Sequence, residues 1–159
     1  MPAATGGNGL QVNPLYPFKD RLFLGALAAG PAGALVWVAL TGERAGDDGL
    51  LAPWPLLMLV VVYPVLEELA FRGLVQGLLL RPRWGRYRAG PLSLANVLTT
   101  LAFAMSHWPR GSNLLALGVV PPGLIFGYFR ERHDGLLSPV LLHGWYNLSV
   151  IALTAAWPA

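Results

Sequence analysis

Long apolar runs are the feature that most constrains the fold of this chain. The first run, residues 22–40, contains no charged side chain, and four runs of similar character follow it. A membrane-spanning helix needs about 20 predominantly apolar residues, and each run is long enough. The five runs are 22–40, 50–80, 89–109, 111–129 and 135–159. The sequence therefore predicts an all-α fold: a polytopic membrane helix bundle of about five transmembrane helices.

The composition agrees with a lipid environment. The 159 residues are 55% hydrophobic and 12% charged, whereas a soluble domain has about 25% charged residues. The chain contains no cysteine, which excludes disulfides, thiolate metal ligands and cysteine nucleophiles. The net charge of +3 comes from arginines between the apolar runs. We interpret this charge as a signal of membrane topology and expect no nucleic-acid partner.

The Lys and Arg residues between the runs predict an orientation. With the N-terminus in the cytoplasm, the inner connections hold eight of the eleven and the outer connections hold two, while Arg72 lies inside a span. Cytoplasmic connections are enriched in these residues. We therefore expect a multi-pass protein of the cell membrane with a cytoplasmic N-terminus. Residues 1–18 are predicted to be a flexible tail, and residues 19–159 a single transmembrane helical domain.

Prolines are expected to interrupt two of the runs. As one helix, residues 50–80 would extend about 46 Å at about 1.5 Å per residue, which exceeds the hydrocarbon thickness of about 30 Å. We expect a proline to break or kink this run, and Pro121-Pro122 to bend the fourth. The candidates in the second run are Pro53, Pro55 and Pro64.

Three charged side chains interrupt the second run: Glu67, Glu68 and Arg72. A charge at the bilayer centre costs at least about 2.5 to 3.5 kcal/mol, so these residues need partners or a function. Glu68 and Arg72 are four residues apart and share a helix face, so we expect Arg72 to neutralise Glu68. Glu67 points about 100° away and has no obvious local partner. For the Glu68–Arg72 pair alone, a purely structural ion pair and a functional role explain the pattern equally well.

Polar residues also lie at helical spacing in the third and fifth runs. His107 lies near the end of the third, and His143 and Asn147 are four residues apart in the fifth. Taken singly, they are explained by an interfacial histidine and by hydrogen bonds to a neighbouring helix. Together with Glu67 they supply what hydrolysis needs: a carboxylate that takes a proton from water, imidazoles, and an amide that stabilises an oxyanion. We therefore expect one hydrolytic pocket within the membrane.

Three short motifs resemble those of a known family. The stretch EELAFRG, from Glu67, is similar to the EExxxR motif of the CPBP family, which comprises type 2 CAAX prenyl proteases and bacteriocin-processing enzymes and is also called the Abi family. FAMSH, from Phe103, matches its FxxxH motif, and HGWYN, from His143, matches its HxxxN motif. All three occur in the family's order on separate predicted spans. The resemblance implies an α-helical intramembrane endopeptidase whose substrate is a membrane-associated or C-terminally anchored peptide or protein.

The resemblance also implies roles for single residues. Glu67 with His107 would activate the attacking water, and His143 with Asn147 would hold the oxyanion. In addition, the resemblance implies that Glu68 and Arg72 shape the site and that Phe103 lines it. Many relatives have more spans than the five predicted here, so this chain resembles a reduced core of the family.

Two functional questions stay open at this point. Glu67, His107 and His143 could supply three ligands of a catalytic zinc, but the sequence has no HExxH motif. We expect no cofactor, with zinc as the alternative. The competing functions are a small transporter or proton relay and a non-catalytic scaffold or immunity factor. The sequence does not distinguish a prenylated from an unprenylated substrate, nor does it indicate an oligomeric state.

Overall fold

Helices make up most of the chain in the structure, a computed structural model that describes residues 16–42, 51–108 and 113–156. The predicted tail lies outside the described residues except for 16–18, which belong to the first helix. The elements are α1 (Tyr16–Lys19), α2 (Arg21–Thr41), α3 (Pro53–Leu79), a 3₁₀ turn (Trp84–Arg86), β1 (Arg88–Ala89), β2 (Leu92–Ser93), α4 (Leu94–His107), α5 (Asn113–Gly118), α6 (Val120–Arg132) and α7 (Leu137–Ala156).

Apolar side chains face outward on the two longest apolar helices. Within the described part of the chain, α2 and α3 are long and apolar enough to cross a membrane. Only 28% of the most apolar window of α2 and 11% of that of α3 is buried, whereas a core helix of a soluble protein would be mostly buried. An apolar exterior of this extent indicates contact with lipid or another apolar partner. The count of five spans, the cytoplasmic N-terminus and the cell-membrane location stay predictions.

The second run forms one continuous helix, α3. The expected break at a proline does not occur, and the other expected outcome, a kink, stays a prediction. Pro53 and Pro55 lie in its first turn, where a missing backbone N–H leaves no hydrogen bond unmade. The helix widens to π geometry over Met58–Val62, directly before Pro64, and again over Leu69–Val75. The chain thus accommodates the internal proline by changing its hydrogen-bond pattern rather than by ending the helix.

The fourth run is interrupted close to the predicted position. It is divided at Val119 into α5 and α6, and Pro121-Pro122 lie in the first turn of α6. A proline is tolerated there because the first N–H groups of a helix have no intrahelical acceptor. The proline pair therefore lies in the first turn of a helix, just after the interruption at Val119, and the expected bend stays a prediction.

The helix of the third run begins only at Leu94, because residues 88–93 form a small antiparallel hairpin. Gly90 occupies the turn with a φ of +62°, a conformation that glycine adopts without steric cost. Pro91 follows it, and Ser93 then caps α4 by accepting a backbone N–H of the first turn at 3.0 Å. The helix therefore starts at Leu94, inside the apolar run that begins at residue 89.

Two glycines of α6 allow α4 to approach closely. A Cβ atom added to Gly127 would lie 2.0 Å from Oδ1 of Asn96, and one added to Gly123 would lie 2.9 Å from Cγ2 of Thr100. In the space left by the missing side chains, Nδ2 of Asn96 donates a hydrogen bond to the Leu124 carbonyl at 2.9 Å. The contact between these helices therefore depends on glycine at both positions.

The same glycines contact α3 through their carbonyl groups. Nη2 of Arg72 donates to the Gly123 carbonyl at 3.1 Å, and Nε2 of Gln76 donates to the Gly127 carbonyl at 3.0 Å. Both pairs are spaced by four residues, so one face of α3 aligns with one face of α6. Arg72 and Gln76 are fully buried. The interior of the bundle therefore contains a row of polar side chains, whereas the exposed faces of α2 and α3 are apolar.

Helix α7 is held in place by α2. The Tyr146 hydroxyl donates to the Ala26 carbonyl and the Trp145 indole N–H donates to the Leu27 carbonyl, each at 2.8 Å. Gly30 lies against the Tyr146 ring, where an added Cβ would approach to 2.8 Å. These contacts set the position of α7 along the bundle. A buried apolar cluster adds to them: Phe23, Ala26, Phe126, Phe129 and Leu142.

At one end of the bundle, Asp20 links the start of α2 to the end of α6. Its carboxylate caps α2 by accepting the Leu22 N–H at 3.0 Å and pairs with Arg132 and with Nε2 of His133. The Arg132 hydrogen bond, assisted by His133 and Leu22, lowers the pKa of Asp20 from 3.8 to about 2, against the opposing effect of burial. The ionised carboxylate therefore stabilises the folded state.

The α4–α6 contact predicts the effect of a single methyl group. Gly127→Ala should lower the free energy of unfolding in detergent by about 1 to 3 kcal/mol, because Asn96 must move and its hydrogen bond is strained or lost. Gly25→Ala is the matched control, since nothing lies within 4 Å of an added Cβ there. That variant should be neutral or slightly stabilising. Equal stabilities of the two variants would contradict the close approach.

The Asp20 cluster predicts a pH dependence. Because the folded-state pKa of Asp20 is depressed, its stabilising contribution is present above about pH 4 and is lost as the pH falls toward 2. The melting temperature of the wild type should therefore fall over this window more than that of Asp20→Asn. Asp134→Asn removes a carboxylate that is 96% exposed and should retain the wild-type decline. Parallel declines in wild type and Asp20→Asn would contradict the linkage.

Candidate active site

The predicted ion pair between Glu68 and Arg72 is confirmed. Nη1 of Arg72 lies 3.1 Å from Oε1 of Glu68, and both side chains are fully buried. The guanidinium also lies over the ring of Phe103, 4.6 Å from its centroid, and 5.6 Å from that of Phe126. A buried charge is tolerated when it is paired and hydrogen-bonded, and Arg72 meets this condition through Glu68 and the α6 backbone.

His143 of α7 joins the pair from the opposite side. Its Nδ1 lies 2.8 Å from the same Oε1 of Glu68. Since a carboxylate accepts hydrogen bonds, Nδ1 carries the proton and donates. The imidazole stacks on Phe126, with centroids 5.1 Å apart and planes 23° apart, and it meets the ring of Phe103 edge-on. The ring orientation of His143 is therefore fixed by one ionic partner and two aromatic ones.

Glu67 flanks the other nitrogen of the same imidazole. Its Oε2 lies 3.6 Å from Nε2 of His143, and its side chain is 24% exposed, in contrast to buried Glu68. The sequence offered no local partner for Glu67 because this partner comes from a different helix. Two adjacent glutamates thus bracket one histidine, with one carboxylate buried and the other reachable from outside the protein.

The hydrogen-bonding roles of Glu67 and His143 leave a place for one shared proton. Glu67 and Glu68 each contribute a negative charge, and Arg72 contributes a positive one. With Nδ1 of His143 donating to Glu68, Nε2 and the Glu67 carboxylate would both be acceptors unless one of them carries a further proton. A single proton on either group removes this opposition of two acceptors. At 3.6 Å the two groups lie beyond direct hydrogen-bonding distance, so a proton would pass between them through a water molecule.

Asn147 lies one turn after His143 and also contacts α3. Its Nδ2 donates to the Leu59 carbonyl at 2.9 Å. The π segment before Pro64 explains why this carbonyl accepts a side chain: the Tyr63 N–H bonds to Met58, and Pro64 has no N–H for Leu59. The proline thus leaves an acceptor that orients the Asn147 amide next to the cluster.

His107 reaches the site through Phe103. Its Nδ1 lies 2.9 Å from the Phe103 carbonyl, which can only accept, so Nδ1 carries the proton and Nε2 is the open nitrogen of the neutral ring. The Phe103 ring lies 4.5 Å from the His107 ring and 5.8 Å from the His143 ring, measured between centroids. Phe103 therefore contacts both histidines, and residues from all three motifs meet around it.

Three residues that the sequence analysis did not assign to the site help to build it. Phe126 supports the His143 ring, Pro64 frees the acceptor for Asn147, and Gly144 allows α7 to approach α3, since an added Cβ would lie 2.4 Å from the Val60 carbonyl oxygen. Gly144 lies inside the HGWYN motif and Pro64 lies three residues before Glu67. The sequence therefore carried a signal for both of these residues. Phe126 lies in an apolar run and gives no signal in the sequence.

The zinc alternative requires Glu67, His107 and His143 to converge as ligands. Within the ranges that the structure describes, no group of three or more His, Asp or Glu side chains is arranged to hold a metal ion. Both ring nitrogens of His143 face carboxylates, and Nδ1 of His107 faces a backbone carbonyl. This arrangement does not fit the three-ligand set, and we derive no catalytic step through a metal.

The chain matches one protein family. No curated protein and no solved structure matches it significantly. Residues 49–149, more than half of the chain, match the family of type II CAAX prenyl endopeptidases called Rce1-like. The matched region contains every residue of the site described above, while α2 lies outside it. The protein therefore belongs to the Rce1-like type II CAAX prenyl endopeptidase family, whose members are membrane-embedded peptidases.

Proposed function

We propose that this protein is an intramembrane endopeptidase that hydrolyses a peptide bond in a membrane-associated or C-terminally anchored protein. Its family membership supports peptidase activity. The observation that carries the proposal is the bracketing of His143 by a buried and a partly exposed glutamate. An arrangement needed only for stability would not require the second, accessible carboxylate next to a histidine that Glu68 already orients.

Glu67 is the base that activates water. Its side chain is partly exposed, whereas its neighbour Glu68 is buried and bonded through Oε1 to Arg72 and His143. When the shared proton is on His143, Glu67 is a carboxylate and can accept a proton from a water molecule held between the two groups. The resemblance implies His107 as the partner of Glu67, and the open Nε2 of its ring, which packs against Phe103, is the nitrogen available for this role.

His143 and Asn147 stabilise the oxyanion. The protonated His143 presents Nε2–H at the site, and the Asn147 amide has a second N–H besides the one that it donates to Leu59. Both groups are held in place before the reaction, His143 by Glu68 and two aromatic rings, and Asn147 by the α3 backbone. Donors that need no rearrangement are the ones that lower the barrier most.

The reaction then proceeds in two balanced steps. The water oxygen forms a bond to the carbonyl carbon while Glu67 takes one water proton, and the negative charge moves to the carbonyl oxygen. The carbon–nitrogen bond then breaks, the carbonyl re-forms, and Glu67 returns its proton to the leaving amine. The products are a carboxylic acid, which keeps the second water proton, and an amine, and the cluster regains its initial charge. No step in this scheme uses a metal.

One competing function has a specific observation in its favour. Glu67, His143 and Glu68 form a chain of groups that can exchange a proton, which is also how proton relays in membranes are built. A relay requires flux across a bilayer, whereas hydrolysis requires turnover of a peptide. Proton flux in liposomes that is lost in Glu67→Gln, without any peptide cleavage by the wild type, would favour the relay.

The proposed base predicts a selective loss of activity. Glu67→Gln should lower kcat by about 100-fold to 10,000-fold on a prenylated, membrane-anchored peptide or its unprenylated counterpart, whichever the wild type cleaves. The melting temperature should change little because Glu67 is partly exposed and lies outside the buried pair. The measurement is steady-state cleavage by purified protein in detergent, together with thermal unfolding of the same samples.

Two further variants serve as controls for this experiment. Glu67→Asp keeps the carboxylate but retracts it by one methylene, so it should retain more activity than Glu67→Gln. Glu68→Gln should lower the stability by about 3 to 5 kcal/mol, because it leaves the buried Arg72 charge unpaired. Unchanged turnover in Glu67→Gln would refute the assignment of the base.

The absence of a metal step predicts the response to metal removal. Activity should be unaffected by EDTA or by a membrane-permeant chelator, because activation of water is assigned to Glu67. Cleavage is measured before and after dialysis against chelator, and metal content is measured on the same sample. Activity that is lost on chelation and restored by zinc would contradict the scheme.

A further inference from the structure

A basic cleft lies at the end of α3, apart from the candidate active site. It has a volume of about 460 Å³ and opens outward between the end of α3, the residues that follow it and the end of α6. None of the residues assigned to the active site lines it. Its charged lining consists of Arg81, Arg86, Arg88, Arg130, Glu131 and Asp134.

The two carboxylates in this lining are already neutralised. Glu131 accepts hydrogen bonds from Gln76 at 2.8 Å and from Arg88 at 2.6 Å, and Asp134 pairs with Arg130 at 3.4 Å. Arg81 forms no side-chain hydrogen bond or ion pair with any residue that the structure describes. Four arginines against two carboxylates leave an excess of positive charge, which favours an anionic ligand.

The chain after α3 is folded back to form the cleft. Gly85 lies against the last turn of α3, where an added Cβ would approach the Leu79 carbonyl oxygen to 1.7 Å. This approach brings Arg86 close enough to donate from Nε to the Leu80 carbonyl at 2.7 Å. A carbonyl at the helix end is thereby satisfied, and the Arg86 guanidinium is fixed at the rim of the cleft.

The residues around the cleft indicate that it lies where the apolar surface of α3 ends. Arg81 follows directly on α3, a helix long and apolar enough to cross a membrane. Trp84 and Tyr87, on the same segment, are 52% and 71% exposed. Exposed Trp and Tyr side chains are typical of the membrane–water interface, and basic pockets at this level bind the headgroups of anionic lipids.

We propose that this cleft binds the phosphate group of an anionic phospholipid. The excess of positive charge accounts for the phosphate, and the interfacial aromatic residues beside it account for a lipid as its source. The apolar surface of α3 continues from the cleft through Leu78, which is 46% exposed, and offers contact to an acyl chain. Arg81 and Arg86 are the main ligands, since Arg88 and Arg130 are already paired with carboxylates.

Titration calorimetry of detergent-solubilised protein with short-chain phosphatidylglycerol tests this proposal without reference to proteolysis. Wild type should bind in a saturable manner, and phosphatidylcholine should bind at least about tenfold more weakly. The double variant Arg81→Gln/Arg86→Gln should raise the Kd for phosphatidylglycerol by at least about tenfold. Arg81→Gln alone should show part of this rise in Kd. Because Arg81 forms no side-chain hydrogen bond or ion pair with the described residues, this single variant should fold, and it tests the proposal even if the double variant does not.

Arg83→Gln is the matched control because Arg83 is an exposed arginine of the same segment that does not line the cleft. It should change the Kd by less than about twofold. Equal losses of phosphatidylglycerol affinity in Arg83→Gln and in the cleft variants would mean that the lipid is attracted by the positive surface in general, and would overturn the proposal. Displacement of the lipid by an equal concentration of inorganic phosphate would assign the cleft to free anions. Binding of a peptide C-terminal carboxylate without lipid binding would assign it to a peptide.

Discussion

The buried carboxylate of Glu68 is the group on which the rest of the site depends. A single oxygen, Oε1, accepts hydrogen bonds from Arg72 on its own helix and from His143 on α7. Arg72 in turn reaches the Gly123 carbonyl of α6, so one ionised group connects three helices. In an apolar surrounding such a group is tolerated only while all its partners remain. The requirement that keeps Glu68 paired therefore also positions the histidine.

The two adjacent glutamates meet different requirements of the proposed site: one holds the imidazole in place, and the other is accessible. Glu68 is fully buried and engaged, which suits a structural role, and Glu67 is partly exposed and faces the remaining nitrogen of His143. A catalytic base must be reachable by water and substrate, whereas the group that orients the imidazole must not move. In the proposed mechanism these two roles fall to consecutive residues of one helix. The basic cleft lies beyond this arrangement, at the end of the same helix.

Local geometry decides how much of this was predictable from the sequence. The four-residue spacing of Glu68 and Arg72 suffices to predict their pair, because helix periodicity alone brings them together. The contact between Glu68 and His143 spans 75 residues and depends on how α7 packs against α2 and α3. The acceptor for Asn147 exists only because of a π turn before Pro64. The hairpin before Leu94 follows from Gly90 and Pro91, signals that the surrounding apolar run concealed.

Nitrogen-15 NMR of histidine-labelled protein at neutral pH tests the central contact most directly, with the His143 signals assigned by comparison with a His143→Gln sample. The account predicts that Nδ1 of His143 carries a proton in a strong hydrogen bond, and that Glu68→Gln weakens this bond. The proton at Nε2 should respond instead to Glu67→Gln. An unprotonated Nδ1 in the wild type, or signals that Glu68→Gln leaves unchanged, would contradict the account.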